Sequence, residues 1–287
     1  MRRRNFLAFF LLFIVLLSVL FLTYHISRST PGHKIYTVSP TIIPSPTPFV
    51  FKSYTAPSIE KKQVYKIAMV GDSMTAALGP HGGSLSDYMN SLYKKNVQDP
   101  QRIIIDNYAK SSNILAINNE IAKKTTISEY TFGPLLSGNY DLILVESYGY
   151  NPLSQFGIDG GIKQQNIALD ALMKTLITTL PHADIIFIAT IAPNTENYAK
   201  AVQPSYSAAD RAKLVAERIA YIKNHIAYAK SHTIPVINIY QDSLTQNGDG
   251  NMVYINPTDD IHPSFAGIDF ISHKIGDFIY NNNILPK

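Results

Sequence analysis

The sequence predicts an α/β fold, a mostly parallel, doubly wound sheet between two layers of helices. Two observations carry that prediction. Five short segments, 65–70, 102–106, 142–146, 184–189 and 235–239, are mostly apolar and generally rich in Ile and Val. Strands buried on both faces have that composition, whereas half-exposed strands alternate. Stretches of helical period separate the five segments, and strands alternating with helices imply parallel crossovers.

Taken in order, the chain opens on the basic cluster Arg2, Arg3 and Arg4. Residues 6–22 follow as an apolar run whose only polar member is Ser18, and Thr23 and Tyr24 extend it. At about 1.5 Å per residue such a helix spans roughly 26–29 Å, close to a bilayer core. A cleaved signal peptide would have a shorter apolar region followed by small residues. Phe21-Leu22-Thr23-Tyr24-His25 offers no such site. Residues 1–25 are therefore expected to form an uncleaved signal anchor, a single transmembrane helix. The arginines before it keep the amino terminus inside and place the rest of the chain outside the cell membrane.

Residues 26–60 read as a linker. Pro31, Pro40, Pro44, Pro46, Pro48 and Pro57 are interleaved with Ser and Thr. Proline removes backbone donors and fixes φ, so neither helix nor sheet propagates. Residues 61–287 are expected to form one domain.

Three of its helices are plain. Residues 162–180 carry Ile167, Leu169, Leu172, Met173, Leu176 and Leu180 at helical spacing, and Pro181 ends the run. Residues 207–231 carry Leu214, Val215, Ile219, Ile222, Ile226 and Tyr228, with Ser207 as an amino-terminal cap. Residues 265–280 repeat Ile268, Ile271, Ile275 and Ile279. There is no internal repeat.

Charge and composition exclude some functions. The formal charge of +4 comes from the amino-terminal sixty residues, which hold six of the 25 cations and only Glu60 of the 21 anions. That leaves 19 cations against 20 anions in the domain, with no basic excess for nucleic acid. There are no cysteines, so disulfides, thiolate catalysis and Cys-based metal sites are excluded.

The chemistry gathers where predicted strands end. The first strand runs into Gly71-Asp72-Ser73-Met74-Thr75, placing a serine hydroxyl at a strand's carboxyl end. Open α/β sheets bind their ligands there. Asp259-Asp260-Ile261-His262 precedes the last helix. An Asp three residues before a His in a turn can accept Nδ1–H and leave Nε2 to take the serine proton. Ser73, Asp259 and His262 are thus candidate nucleophile, orienter and base, and Asp259 suits the spacing better than Asp260. Oxyanion donors are available from the Ser73 N–H, from the loop Asn107 to Asn113 after the second strand, and from Asn151 in Gly149-Tyr150-Asn151 after the third. Asp72 is expected to pack and hydrogen-bond the turn, Gly149 to serve a tight turn, and Asn107 to be a buried hydrogen-bonding residue.

These blocks, in this order, resemble the GDSL-type or SGNH hydrolase family over residues 64–284. The resemblance implies a three-layer α/β/α, flavodoxin-like sandwich with a five-stranded parallel sheet. It implies Ser73 as nucleophile, Asp259 and His262 as its partners, and an oxyanion hole from the N–H groups of Ser73 and Ser112 and the Asn151 amide. Ser112 stands where the family has glycine, and Met74 where leucine is more usual. No metal or organic cofactor is implied. The activity expected is that of an extracytoplasmic, membrane-anchored serine esterase acting on a small-molecule or glycan ester. The alternatives are an O-acyltransferase with the same triad, acylating cell-wall sugars, and a catalytically degenerate glycan-binding module. The oligomeric state stays open.

Other residues are expected to be structural. Gln241-Asp242-Ser243 also follows a strand but lacks the glycine, so Ser243 reads as a cap or loop serine. Asn247-Gly248-Asp249-Gly250-Asn251 starts like a calcium loop, but its twelfth position is Thr258 rather than glutamate. His81, His182, His225 and His232 fit no metal-ligand motif and are expected at the surface. Glu146 is unusual at the end of a buried strand; it either faces the crevice or pairs with a lysine. There is no G-x-S-x-G elbow.

Overall fold

The computed structural model describes residues 49–96 and 99–287. The expected anchor at residues 1–25, and the linker up to residue 48, lie outside the described residues. Among the described residues no helix is long and apolar enough to cross a membrane.

Strand β1 (Val64–Val70) turns into the short helix α1 (Ser73–Ala76), followed by α2 (Gly83–Asn96) and strand β2 (Arg102–Asn107). Helix α3 (Ile117–Ile121) leads into a small antiparallel hairpin of β3 (Thr125–Ile127) and β4 (Tyr130–Phe132). Then come β5 (Leu142–Glu146), α4 (Gly157–Thr179), β6 (Asp184–Ala189), α5 (Ala208–Ser231), β7 (Val236–Asn238), α6 (Ile239–Asp242) and α7 (Phe265–Asn281). The five longer-range strands pair in parallel in the order β2-β1-β5-β6-β7. They match the five segments expected from composition. Asn238 caps α6, so the last strand stops before Ile239.

Alternation along each strand divides the core. Tyr65, Ile67 and Met69 face one side with Leu85 and Met89 of α2 and Ile271, Ile275 and Ile279 of α7. Ala68, Val70, Ile143, Val145 and Phe187 face the other side with Leu169, Leu172 and Leu176 of α4 and Tyr221, Tyr228 and Ala229 of α5. The result is a three-layer α/β/α sandwich. The chain leaves β1 for β2 on one flank and returns past β1 to β5 on the other. That reversal opens a crevice at the carboxyl ends of β1 and β5. Register brings those ends level, with Met69 opposite Asn107 and Val70 opposite Val145.

Three expectations change. Residues 49–60 have no regular secondary structure, but they belong to the folded unit rather than to a free linker. Phe51 and Tyr54 are buried, because apolar side chains in this extended strap dock on the sheet's second layer. His225 is fully buried rather than at the surface. Its ring stacks on Phe187 (centroids 4.3 Å) and its Nε2 donates to the Val145 carbonyl (3.2 Å). The β3–β4 hairpin was not expected; three-residue strands are too short to show a period.

Candidate active site

Ser73 is the first residue of α1, directly after the strand at the crevice. Asp72 caps the helix: one carboxylate oxygen accepts the Met74 N–H (2.9 Å) and the other accepts the Tyr150 N–H (3.1 Å). Asp72 is completely buried and ties the serine turn to the loop after β5. Gly71 is required by close approach. A Cβ there would lie 2.6 Å from Thr75 Oγ1 and 2.7 Å from Glu146 Cβ.

The loop before α7 delivers the imidazole. Asp259 Oδ1 accepts the backbone N–H groups of Ile261 (2.8 Å) and His262 (3.0 Å). Its Oδ2 lies 2.8 Å from His262 Nδ1. A carboxylate needs a donor, so Nδ1 carries the proton and Nε2 is the acceptor. Nε2 lies 3.0 Å from Ser73 Oγ. Burial acts to raise the Asp259 carboxyl, but the His262 hydrogen bond and the two N–H bonds outweigh it and hold it below its ordinary range. Asp260 does a different job: its Oδ2 accepts the Ala201 N–H (2.9 Å) and pins the loop after β6.

Asn151 sits on the loop after β5, one residue after Tyr150, whose N–H ties that loop to Asp72 beside Ser73 (3.1 Å). Gly149 is small because a Cβ would lie 2.3 Å from Ile222 Cγ1 of α5. Asn107 is a buried clamp. Its Nδ2 donates to the carbonyls of Thr75 (2.8 Å) and Gly79 (2.9 Å), and its Oδ1 accepts the Ala109 N–H (3.1 Å). Ser112 departs from its expected role. Its N–H is directed at the Lys110 carbonyl two residues back (2.7 Å), a tight turn that takes the donor expected for the oxyanion hole. Its hydroxyl donates to Glu120 (3.0 Å).

The other residues singled out from sequence stand elsewhere. Ser243 Oγ accepts the Ala192 N–H (2.8 Å) and donates to the Tyr240 carbonyl (3.0 Å), so it anchors a turn. Asp249 accepts the Thr195 N–H and hydroxyl (2.9 and 3.0 Å), so its turn is tied to the loop after β6. Glu146 is the exception: it lies under the Ser73 turn, and among the described residues it makes no ion pair with lysine. A hollow of about 520 Å³ on the outer side of α4, lined by Phe49, Ile167 and Lys174 among others, contains none of the site groups. Sequence reading did not foresee Tyr148, which has φ +53° and is buried. A tyrosine in a left-handed position leaves no compositional signal, unlike a glycine.

No protein-family model and no curated sequence matches the chain. Solved structures do. A chain from Parabacteroides merdae assigned as a GDSL-like lipase superposes with a TM-score of 0.54 at 14% identity, covering 79% of this chain and 100% of that one. This chain has the fold of the GDSL-like lipases. An Enterococcus faecalis lipase/acylhydrolase gives a TM-score of 0.51 at 14% identity, over 76% of this chain and 96% of that one. An acetyl xylan esterase, AlAXEase, gives 0.52 at 14% identity, over 75% and 99%. At such identities the shared property is the GDSL-like fold, and activity has to be argued from the site.

Proposed function

We propose that this chain is a serine hydrolase of the SGNH/GDSL type that cleaves carboxylic esters through an acyl-enzyme at Ser73. The observation that carries the reading is the unbroken relay from Ser73 Oγ to His262 Nε2 (3.0 Å) and from His262 Nδ1 to Asp259 (2.8 Å). Ser73 Oγ attacks the ester carbonyl as its proton passes to His262 Nε2. The tetrahedral oxyanion takes the Ser73 N–H, which has no intrahelical acceptor because it opens a helix. The Asn151 amide, on the loop that Asp72 ties to the serine turn, supplies the second donor. The alkoxide leaves with the proton from Nε2. Water activated by His262 then releases the acid.

The apolar run at residues 6–22, preceded by three arginines, supports a membrane-anchored, outward-facing enzyme. The acetyl xylan esterase among the structural neighbours supports short acyl groups on polysaccharides as the substrate class. Fluorophosphonate labelling and p-nitrophenyl acetate hydrolysis test the chemistry; both are expected in the parent protein and absent in Ser73→Ala. Equal labelling of the two proteins would sink the reading. Acetate release from acetylated xylan, compared with transfer onto the unmodified glycan, separates hydrolysis from acyl transfer.

A further inference from the structure

Beneath the Ser73 turn lies a buried acid that the proposed reaction does not use. Glu146 ends β5 and is 1% exposed. Its Oε2 accepts two backbone donors, Asp72 N–H (3.2 Å) and Tyr148 N–H (3.1 Å). Its Oε1 meets the Ser147 hydroxyl. Asp72 is the residue before the nucleophile, and Tyr148 is the left-handed residue three places before Asn151. One carboxyl thus holds both loops that form the site. Among the described residues the Tyr148 hydroxyl has no hydrogen-bond partner, and its left-handed backbone is tied through its N–H to Glu146 Oε2 (3.1 Å) and through its carbonyl to the Asn151 N–H (3.3 Å).

Asp72 and Glu146 are buried against each other, and no lysine or arginine ion-pairs with either among the described residues. Two adjacent buried carboxyls without a cation share one proton. Burial, then the Asp72 charge, push Glu146 well above the carboxylate range, against the bonds it accepts from Ser147, Asp72 and Tyr148. Burial raises Asp72 as well, although the Met74 and Tyr150 N–H groups that it accepts work against that. The proton of the pair is placed on Glu146, whose Oε2 receives two N–H groups and whose Oε1 meets the Ser147 hydroxyl. The groups around the pair are Tyr148 and Tyr150 on its own loop, Gln165 of α4 on the Ser147 carbonyl (3.0 Å), and His225 of α5 on the neighbouring Val145 carbonyl. Burial keeps that imidazole uncharged.

We propose that Glu146 is a positioning residue of this site, a neutral acid that clamps the Ser73 turn to the Asn151 loop and must keep its proton for turnover. The proposal rests on the serine-hydrolase reading. Loss of the proton to solvent places a second negative charge under the Ser73 N–H, where the oxyanion forms, and loosens both loops. Activity therefore falls on the alkaline side as Glu146 ionises.

Glutamine copies the protonated acid, accepting the two N–H groups with its carbonyl and donating with its amide. Glu146→Gln is expected to keep kcat within about tenfold of the parent and to lose the alkaline descent assigned to Glu146. Glu146→Leu is expected to lower kcat about 100-fold with KM little changed, because both loops lose their clamp. Infrared difference spectra of unreacted parent minus Glu146→Gln should show a protonated-carboxyl band at neutral pH. That band should fade on the same alkaline limb as kcat. A parent enzyme that turns over without the band, or an unchanged alkaline limb in Glu146→Gln, overturns the proposal alone. A parent that neither labels with fluorophosphonate nor hydrolyses esters overturns the serine reading and any positioning role with it. In that case the band reports only a structural acid.

Discussion

At the scale of single residues, the site depends on one aspartate facing two ways. Asp259 orders its own loop through two N–H bonds and orients His262 through its second oxygen. Asp259→Asn removes the charge that stabilises an imidazolium and allows the wrong tautomer. On the serine-hydrolase reading it is expected to lower kcat by about 10³–10⁴-fold. Asp260→Asn should leave kcat within a few-fold, since Asp260 contacts the Ala201 backbone instead. Steady-state kinetics on a p-nitrophenyl ester checks both. Asn151→Ala should lower kcat by about 10²–10³-fold. The full effect is expected because the Ser112 N–H is already bonded to Lys110 and cannot substitute for the lost donor. The Asp-x-x-His spacing was legible in sequence because both groups lie on one turn. The direction of the Ser112 N–H was not, because a backbone torsion sets it and serine permits several.

At the scale of elements, helix α5 shows which features a sequence discloses. Ser207 accepts the Asp210 N–H (3.1 Å), the cap expected from residue type, and the Asp210 carboxylate accepts the Ser207 N–H in return (3.0 Å), a reciprocity that the structure adds. His225 was misjudged because a lone histidine is usually exposed. Its position three and four residues after the buried Ile222 and Tyr221 was the available signal. Burial pushes its imidazole down to about 3 from an ordinary value of 6.5. Between those values the unfolded chain binds a proton that the folded chain refuses, so stability from this group is complete above pH 6.5 and declines as pH falls toward 3. His225→Phe keeps the stack on Phe187 and cannot charge. Its urea midpoint is expected to fall less between pH 7 and pH 4.5 than that of the parent. Gly149→Ala, forced against Ile222, should cost about 1–3 kcal/mol in urea unfolding.

At the scale of the whole molecule, the sheet order converts distant blocks into one site. Ser73 and His262 lie 189 positions apart. They meet because the sheet reverses beside β1 and the last helix returns to the same edge of the crevice. The strap at residues 49–60 stabilises the opposite end. Tyr54 donates to Asp184 at the start of β6 (2.8 Å), accepts the Ile185 N–H (2.8 Å), and bonds through its own N–H to the His232 carbonyl (2.8 Å). Tyr54→Ala is expected to cost at least about 3 kcal/mol in denaturant unfolding, from lost burial and from a buried Asp184 left with only the Ile185 N–H as donor. The ester turnover of the folded fraction should be nearly unaffected, because the strap is remote from the carboxyl ends of β1 and β5.

The sequence by itself determined the α/β class, the five sheet strands, the main helices and the residue types at the crevice. Those properties are local: apolar runs, helical period, caps and short turn motifs declare them within a few residues. Only the tertiary structure decided the partner of Glu146, the burial of His225, the docking of the strap and the engaged N–H of Ser112. Each of these depends on which segment packs opposite, and a chain read in one dimension does not contain that neighbour.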